Sequence, residues 1–445
     1  MTAPRATSRP IPPPGPVGAL VSDSELRGLR ARVERALPVY LADLERLVNV
    51  DCGSYTKPGV DEVARWTTAS LTELGARVTP IANEQGLGDT LVAELDGVDP
   101  TGPTLLCVAH MDTVFDEGTV ATRPFAIRDG IATGPGVTDM KAGLLSGLHA
   151  IAALGEVLGG LPLARIIFVA NPDEEIGSPV SRQHILRLAA DVDACLVLEC
   201  ARANGDIVSA RKGNVGYTIT VHGRAAHAGI EPEKGRSAIV EAARLVGDLH
   251  ALNGRWPSVT VNVGSITGGT RSNVVPERCS LEVDLRAIHR EELEAADAAI
   301  RALTRPRVVP DVAFEIAETS RHWPMEKLER SSRLVDLAVD LAGDLGFELH
   351  DTTTGGASDA NTTAGIGVPT IDGVGPIGGL DHAPGEYLEV ASIVPRTTLL
   401  AGLIAAIGRD PAIREWHSAP SSDTGSTRTD ARPIEIGEAP ATDKA

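Results

Sequence analysis

Short apolar runs alternate with helical segments in the first half of the chain, and this alternation restricts the fold more than any other feature. The runs at 104–109, 164–170 and 194–198 are almost entirely apolar and predict buried strands. Helical spacing of apolar residues lies between them, at 140–154 and 181–189. Buried strands separated by helices are typical of layered α/β domains. The sequence therefore predicts an α/β domain with a largely parallel sheet.

Residues 208–320 carry a different pattern. Their predicted elements follow the order strand, helix, strand, strand, helix, strand, which is the signature of a ferredoxin-like α+β domain. The α/β pattern returns after Pro324. The smaller domain is therefore predicted to be inserted into the larger one, whose two parts are residues 23–207 and 321–417.

Both ends of the chain are predicted to be disordered. Residues 1–22 are rich in proline, and residues 418–445 are too polar to repay the entropy cost of ordering. Neither segment enters the fold prediction.

Composition and charge restrict the partners. The chain has 60 acidic and 41 basic residues and a formal net charge of −19, which disfavours binding to nucleic acid or to an anionic membrane. No apolar run approaches the roughly 18–20 residues of a membrane span. The five cysteines form no CxxC pair, and the N-terminal residues lack the apolar core of a secretory signal. We therefore expect a cytoplasmic protein without nucleic-acid or membrane partners.

Histidines and acidic residues follow the predicted strands of the larger domain. Because ligands in open α/β sheets bind beyond the carboxyl ends of strands, these side chains are expected to meet in one crevice. They are His110, Asp112, Asp139, Glu174, Glu175, Glu199 and His382.

Taken singly, each of these residues has an ordinary structural explanation. A histidine after a strand is commonly a turn residue, and Asp139 before a helix is by default an N-cap. However, three consecutive acidic residues, at 173–175, follow a predicted buried strand, and no Lys or Arg comes after them until Arg182. Buried carboxylates are costly unless a positive charge neutralises them, so a bound cation is indicated.

The donor types indicate zinc. His110, Asp139, Glu175, Glu199 and His382 form a mixed nitrogen and oxygen set. Five ligands are one too many for a single open catalytic zinc. They fit two zinc ions bridged by one carboxylate and sharing a hydroxide, with cobalt or manganese as possible substitutes. Glu174 is then a candidate general base, and Asp112 could orient the His110 imidazole.

Five segments resemble the M20 family of dinuclear zinc amidohydrolases, and the likeness extends from about residue 30 to 410. The family includes carboxypeptidases of the carboxypeptidase G type and several N-acyl-amino-acid deacylases. The segments are AHMDTV (109–114), GPGVTDMKAG (134–143), NPDEEIGS (171–178), LEC (198–200) and LDHAPGEYLE (380–389).

The resemblance implies a fold and a set of roles for the candidate residues. The fold is a zinc-exopeptidase-like α/β/α catalytic domain with an inserted ferredoxin-like lid and dimerisation domain. Glu174 would be the general base, Asp112 would support a metal ligand, and the peptide bond between Asp139 and Met140 would be cis. One zinc would be held by His110 and Glu199, the other by Glu175 and His382, with Asp139 bridging them.

The resemblance also implies residues that contact the substrate. His227 would polarise the scissile carbonyl across the interface of a homodimer formed through residues 208–320. Arg286 would bind the substrate carboxylate, Asn273 would donate a hydrogen bond, and Gly356 would lie in a turn lining the pocket.

One segment departs from the family pattern. Carboxypeptidase-like members commonly have a substrate-binding Arg before prolines, where this chain reads SRHWPM at 320–325. Either Arg321 has that role with a shift of one residue, or His322 replaces it and the specificity has changed.

The predicted function is hydrolysis of an amide bond next to a free carboxylate, in a small peptide or an N-acyl amino acid. A carboxypeptidase G-like activity, with Glu174 activating a zinc-bridged hydroxide, is favoured. The alternative is an N-acyl-amino-acid deacylase acting on acetylornithine, succinyl-diaminopimelate or similar compounds. A non-catalytic binding protein is disfavoured because the five predicted ligands and Glu174 are all present.

Overall fold

The computed structural model describes residues 20–306 and 308–416. The predicted disorder of the two ends concerns residues that lie almost entirely outside this range. Of the N-terminal segment, residues 20–22 are described: Val21 is buried, and Ser22 caps the first helix through a hydrogen bond from Glu25 N.

The chain up to Arg211 forms helices that pack on a central sheet. The helices are α1 (Asp23–Val48), α2 (Lys57–Glu73), α3 (Thr119–Thr122), α4 (Ala142–Leu158) and α5 (Arg182–Ala189). The strands are β1 (Arg77–Ile81), β2 (Thr90–Asp96), β3 (Thr104–His110), β4 (Ala126–Arg128), β5 (Ile131–Thr133), β6 (Arg165–Asn171), β7 (Ala194–Val197) and β8 (Ile207–Arg211).

The inserted domain follows. Its elements are β9 (Gly213–His222), α6 (Ala238–His250), β10 (Thr260–Gly268), β11 (Arg278–Ala287), α7 (Arg290–Leu303) and β12 (Ala313–His322). The chain then returns to the large domain through α8 (Glu329–Asp344), β13 (Asp351–Thr354), α9 (Asp359–Ala364), β14 (Thr370–Ile371), β15 (Gly378–Gly379), β16 (Tyr387–Glu389), α10 (Val390–Arg409) and α11 (Pro411–Trp416).

The central sheet has the strand order β1-β2-β6-β3-β7-β14. Its centre is parallel, with β3 between β6 and β7, whereas β2 is antiparallel to both of its neighbours, β1 and β6. Alternate residues of β3 face two cores: Leu105 packs with α1, α4 and α10, and Leu106 packs with α5 and α9. The α/β/α fold is therefore confirmed, and β14, from the second part of the chain, completes the sheet.

The inserted domain has its own sheet and core. The strand order is β10-β11-β9-β12, fully antiparallel, with α6 and α7 packed on one face. This is the ferredoxin-like arrangement expected from the order of elements. By strand pairing the sheet runs from Gly213 to His322, because β8 pairs with β13 of the large domain.

By length and composition, two segments are long and apolar enough to cross a membrane: Val137–Leu158, which is α4 with the turn before it, and α10, Val390–Arg409. They pack against each other and against α1. In their most apolar stretches, 67% and 78% of the residues, respectively, are buried in the protein. The core of the large domain therefore accounts for their hydropathy.

Candidate metal centre and active site

Three parallel strands bring predicted site residues to one edge of the central sheet. His110 is the last residue of β3, the turn Glu174–Ile176 follows β6, and Glu199 follows β7. Asp139 lies in a kinked, non-helical turn just before α4, and His382 lies between β15 and β16. The carboxyl ends of parallel strands meet at the same edge, which explains the convergence.

Each of the five predicted ligands lies close to at least one other. His110 Nε2 is 3.0 Å from Asp139 Oδ1 and 3.7 Å from Glu199 Oε1. His382 Nε2 is 3.2 Å from Asp139 Oδ2 and 3.0 Å from Glu175 Oε2. Asp139 therefore lies between the two imidazoles and offers a different oxygen to each.

Asp112 supports both sides of this cluster. Its backbone oxygen is 3.0 Å from His110 Nδ1, and its carboxylate accepts hydrogen bonds from the backbone N–H groups of Glu174 and Glu175, both at 3.2 Å. Ser54 Oγ donates to the same carboxylate at 2.6 Å. Ser54 was not predicted, because it comes 58 residues earlier in a loop with no motif of its own.

A second unpredicted residue, Glu386, holds the Asp139 loop. Its buried carboxylate accepts hydrogen bonds from the backbone N–H groups of Gly136, Thr138 and Asp139 at 2.8–3.1 Å. Burial raises the pKa of Glu386 to about 7. The peptide bond between Asp139 and Met140 is cis, as the resemblance implied. Glu386 lies inside the segment 380–389, so the motif itself contained the signal for it.

The electrostatics of the cluster fit a bound cation. Burial raises the pKa of the carboxyl groups of Glu174, Glu175 and Glu199. Hydrogen bonds to Asp139 and Glu175 raise the pKa of His382 to about 11. Buried carboxylates thus outnumber the imidazoles that face them, and a divalent cation would lower the cost of ionising them. The donor atoms form two groups whose members lie within 4.8 Å of one another, both including His110.

Arg286 and the predicted Gly356 turn lie together at the boundary of the two domains. Arg286 Nη1 donates to the oxygen of Gly355 at 2.7 Å. Gly356 in turn accepts a hydrogen bond from Arg211 Nη1, at 3.1 Å. Arg211 was not predicted; it is buried and its Nε lies 2.7 Å from Asp372 Oδ2. The guanidinium of Arg211 therefore anchors the turn on which Arg286 rests.

His227 and Asn273 lie at the other end of the inserted domain. An isolated bridge joins His227 to Val274, and both predicted residues are exposed. They are separated from the domain boundary by the ten residues of β9 and of β11, a length of about 30 Å. Within one chain, the structure therefore does not bring these two residues to the cluster of candidate metal ligands.

Arg321 faces the helices of the inserted domain. In β12 it pairs with Val215, which belongs to the core beneath α6 and α7. Its guanidinium lies 2.7 Å from a carboxylate oxygen of Glu318 and 2.8 Å from one of Asp297. Arg321 is thus bound by two carboxylates on the covered face of the sheet.

His322 faces the opposite way because successive side chains of a strand point to opposite faces. It pairs with Asn214 and lies against Gly177, which directly follows the turn Glu174–Ile176. Of the two alternatives at this position, His322 is the residue that the structure brings beside the candidate active site.

Comparisons with known proteins agree with this geometry. Residues 106–406 match the family described as Peptidase family M20/M25/M40. The chain is 31% identical over 379 residues to carboxypeptidase G2 of Pseudomonas sp. (strain RS-16), covering 83% of this chain and 90% of the relative. It is 28% identical over 313 residues to succinyl-diaminopimelate desuccinylase of Dechloromonas aromatica (strain RCB), covering 66% and 80%.

Solved structures show the same fold. Aminopeptidase PepT from Bacillus cereus ATCC 10987 superimposes with a TM-score of 0.68 at 25% identity, covering 87% of this chain and 99% of that one. The family match spans well over half of the chain, and the relatives include carboxypeptidase and deacylase activities, both carried out by metallo-hydrolases. This chain, a metallo-hydrolase, therefore belongs to peptidase family M20/M25/M40.

Proposed function

We propose that this protein is a carboxypeptidase of the carboxypeptidase G type, which removes a C-terminal amino acid from a small peptide or an N-acyl amino acid. The observation that carries the proposal is the position of Asp139, with one carboxylate oxygen near each of two imidazoles. Such an arrangement suits two cations that share a carboxylate.

Zinc is the proposed metal, with two ions per chain. The distances support one site formed by His110, Asp139 and Glu199 and a second formed by Asp139, Glu175 and His382. Imidazole nitrogens and carboxylate oxygens are both favoured zinc ligands. Bound zinc would lower the pKa of water and polarise the scissile carbonyl.

Residues of the chain would transfer the proton and bind the substrate. We assign Glu174 as the base that takes a proton from the attacking water and returns it to the leaving amine. Burial raises the pKa of its carboxyl, which suits a group that must hold a proton between the two steps. Arg286, at the domain boundary, would bind the substrate carboxylate through its planar guanidinium.

The relatives favour a carboxypeptidase over a deacylase. The likeness to carboxypeptidase G2 is higher in identity and covers more of this chain than the likeness to the desuccinylase. An N-acyl-amino-acid deacylase is the second candidate, because the alignment with the desuccinylase also covers most of that relative's length.

A homodimer through the inserted domain would complete the site. His227 and Asn273 are exposed and lie about 30 Å from the domain boundary along β9 and β11. In the sheet of the inserted domain, β10 is an edge strand, and its Ile266 is 49% exposed. We therefore propose that His227 acts in the site of a partner subunit, where it polarises the carbonyl.

A cytoplasmic location is proposed on the basis of the thiols. All five cysteines are buried and free, as is usual for proteins of reducing compartments.

The test combines a substrate panel with metal analysis. Peptidyl and N-acyl amino acids are incubated with protein loaded separately with zinc, cobalt or manganese, and bound metal is counted per chain. Two zinc ions and release of a C-terminal amino acid are expected. Cleavage of acetyl or succinyl amines alone would favour the deacylase, and protein that binds no metal and cleaves nothing would refute both.

Glu174→Gln tests the proposed base. It is expected to lower kcat by about 10²–10⁴-fold with the bound zinc unchanged. The matched control is Glu117→Gln, which changes an exposed residue of the loop after β3 and should leave kcat unaltered. Wild-type turnover in the Glu174→Gln protein would show that another group accepts the proton.

A further inference from the structure

One guanidinium joins the two domains beside the turn Glu174–Ile176. Arg182, the first residue of α5, donates from Nη2 to the oxygen of Gly177 and from Nη1 to the oxygen of Arg321, both at 2.8 Å. Its Nη2 also contacts His322 Nε2. Gly177 belongs to the large domain, whereas Arg321 and His322 are the last residues of β12. Arg182 therefore holds the end of the inserted sheet and the end of the turn at once.

The contact with Arg182 indicates which ring nitrogen of His322 carries the proton. Arginine can only donate, so Nε2 of His322 accepts, and the ring proton lies on Nδ1. That nitrogen is 2.9 Å from Asn214 Oδ1, and Asn214 Nδ2 lies 3.4 Å from Ser320 Oγ. The hydrogen bonds thus run in one direction from Arg182 into the inserted domain. Burial and the neighbouring Arg182 lower the pKa of His322 to about 4, which keeps the ring neutral and able to accept.

The same face of the sheet carries Arg286. In the register of β9, β11 and β12, Arg286 pairs with Asn214 and Asn214 pairs with His322. Directly paired residues of adjacent strands point to the same face, with Cβ atoms about 4.5–5.5 Å apart. A movement of this row therefore also moves the residue proposed to bind the substrate carboxylate.

On the large-domain side, the contact reaches the proposed base. The backbone N–H of Gly177 donates to the oxygen of Glu174 at 2.7 Å and closes the turn, while Arg182 binds the oxygen of Gly177. In the described part of the chain, the hydrogen bonds of Arg182 go to two carbonyl oxygens and one imidazole. The planar fork of Arg182 uses two separate nitrogens for these acceptors, whereas a lysine would have one ammonium nitrogen.

We propose that Arg182, with His322 as its acceptor, is a positioning residue that couples the orientation of the inserted domain to the turn carrying Glu174 and Glu175. Arg182 lies outside the five sequence segments that resemble the family. The proposal rests on the proposed function, because the turn matters for catalysis only if Glu174 is the base. It implies that this contact helps to hold Arg286 in register with Glu174.

A double-mutant cycle on kcat tests the coupling. Arg182→Met keeps the stem of the side chain and removes the donors, and His322→Leu removes the acceptor. Each is expected to lower kcat about 10-fold or more, because small misplacements of reacting groups are costly, with zinc content unchanged. The double variant should lose no more than Arg182→Met alone. Additive losses would overturn the proposal.

Rescue and control variants exclude a purely structural role. His322→Gln keeps an acceptor for Arg182 and a donor for Asn214, so it should retain most of the turnover that His322→Leu loses. The control pair is Arg187→Met and His184→Leu, an Arg–His contact on the exposed side of the same helix. It should leave kcat unchanged. A drop in melting temperature without any loss of kcat in Arg182→Met would show a structural role only.

Hydrogen exchange separates this proposal from the proposed function. In zinc-loaded protein, His322→Leu should speed exchange of the Gly177 amide, although the change lies in the other domain. This readout needs no substrate, so it stands even if wild-type protein cleaves nothing in the panel. Unchanged exchange at Gly177 would overturn the coupling, and Arg182→Lys provides the reciprocal measurement if Arg182→Met does not fold.

Discussion

At the scale of single residues, Asp112 does more than orient one imidazole. Its carboxylate accepts hydrogen bonds from Ser54 Oγ and from the backbone of Glu174 and Glu175, and its backbone oxygen is 3.0 Å from His110 Nδ1. One buried residue therefore connects residues from both proposed metal sites and the proposed base. The residues that position the ligands are as specific a part of the site as the ligands themselves.

Asp112→Asn tests this assignment. The three hydrogen bonds to the carboxylate are all donated to it, so the amide group of asparagine would face at least one donor with another donor. We expect zinc affinity to fall about 10–100-fold, with a loss of kcat, as measured by titration of metal-free protein and by steady-state assay. Ser54→Ala removes a single donor and should have a smaller effect. Equal effects of the two changes would contradict the central role of Asp112.

At the scale of elements, α4 begins in very close contact with the strand that leads to Glu199. A Cβ atom at Gly143 would lie 1.7 Å from the backbone oxygen of Leu198, so only glycine fits there. Asp139 lies just before the same helix. The close approach of α4 to the end of β7 therefore helps to set the spacing between Asp139 and Glu199.

Gly143→Ala and Gly155→Ala form a matched pair within α4. Gly143→Ala should destabilise the protein by about 1–3 kcal/mol and weaken zinc binding, because the backbone on one side must move. A methyl group at Gly155 would meet no atom within 4 Å apart from the backbone of its own helix, so Gly155→Ala should stabilise the helix by about 0.5–1 kcal/mol. Thermal unfolding with and without zinc measures both; equal shifts would show that the contact with Leu198 is unimportant.

At the scale of the whole molecule, the two domains carry different parts of the proposed site. The large domain holds the candidate metal-ligand cluster, and the inserted domain carries Arg286 near the boundary and His227 at the distant end. An inserted domain of this length can serve two sites, one through each end. The proposed dimer follows from that geometry.

Mixing two inactive variants tests the dimer. Glu174→Gln and His227→Ala proteins are unfolded or dissociated together and reassociated. If His227 acts in the partner's site, mixed dimers contain one intact site, and activity should recover to about one quarter of the wild-type value per chain. Failure to recover activity, although mixed dimers are detected by mass, would place His227 in its own subunit's site or outside catalysis.

Much of this protein could be predicted from local patterns along the chain. The apolar runs of β3, β6 and β7 predicted the parallel core of the sheet, and the order of elements predicted the ferredoxin-like insertion. Because parallel strands end at one edge, the residues that follow them were expected to meet, and the structure brings the predicted ligands together. Strand ends and helix spacing are set by short-range sequence, so they are readable without the fold.

The supporting residues were decided only by the tertiary structure. Ser54 reaches Asp112 across 58 residues, Glu386 reaches the Asp139 loop across about 250, and Arg182 reaches β12 across 139. Glu386 lies inside the motif 380–389, which carried a signal for it, but Ser54 and Arg182 belong to no local pattern, because packing alone brings them to their partners.

The sequence also could not decide between Arg321 and His322. Neighbouring residues of a strand point to opposite faces, so a shift of one position exchanges them. The register of β12 shifts between Glu318 and Ser320, and such an irregularity changes which side chains point to each face of the sheet. The sequence determined that two neighbouring polar residues, Arg321 and His322, lie near the domain boundary, and the pairing of β12 with β9 decided that His322 is the one that faces the large domain.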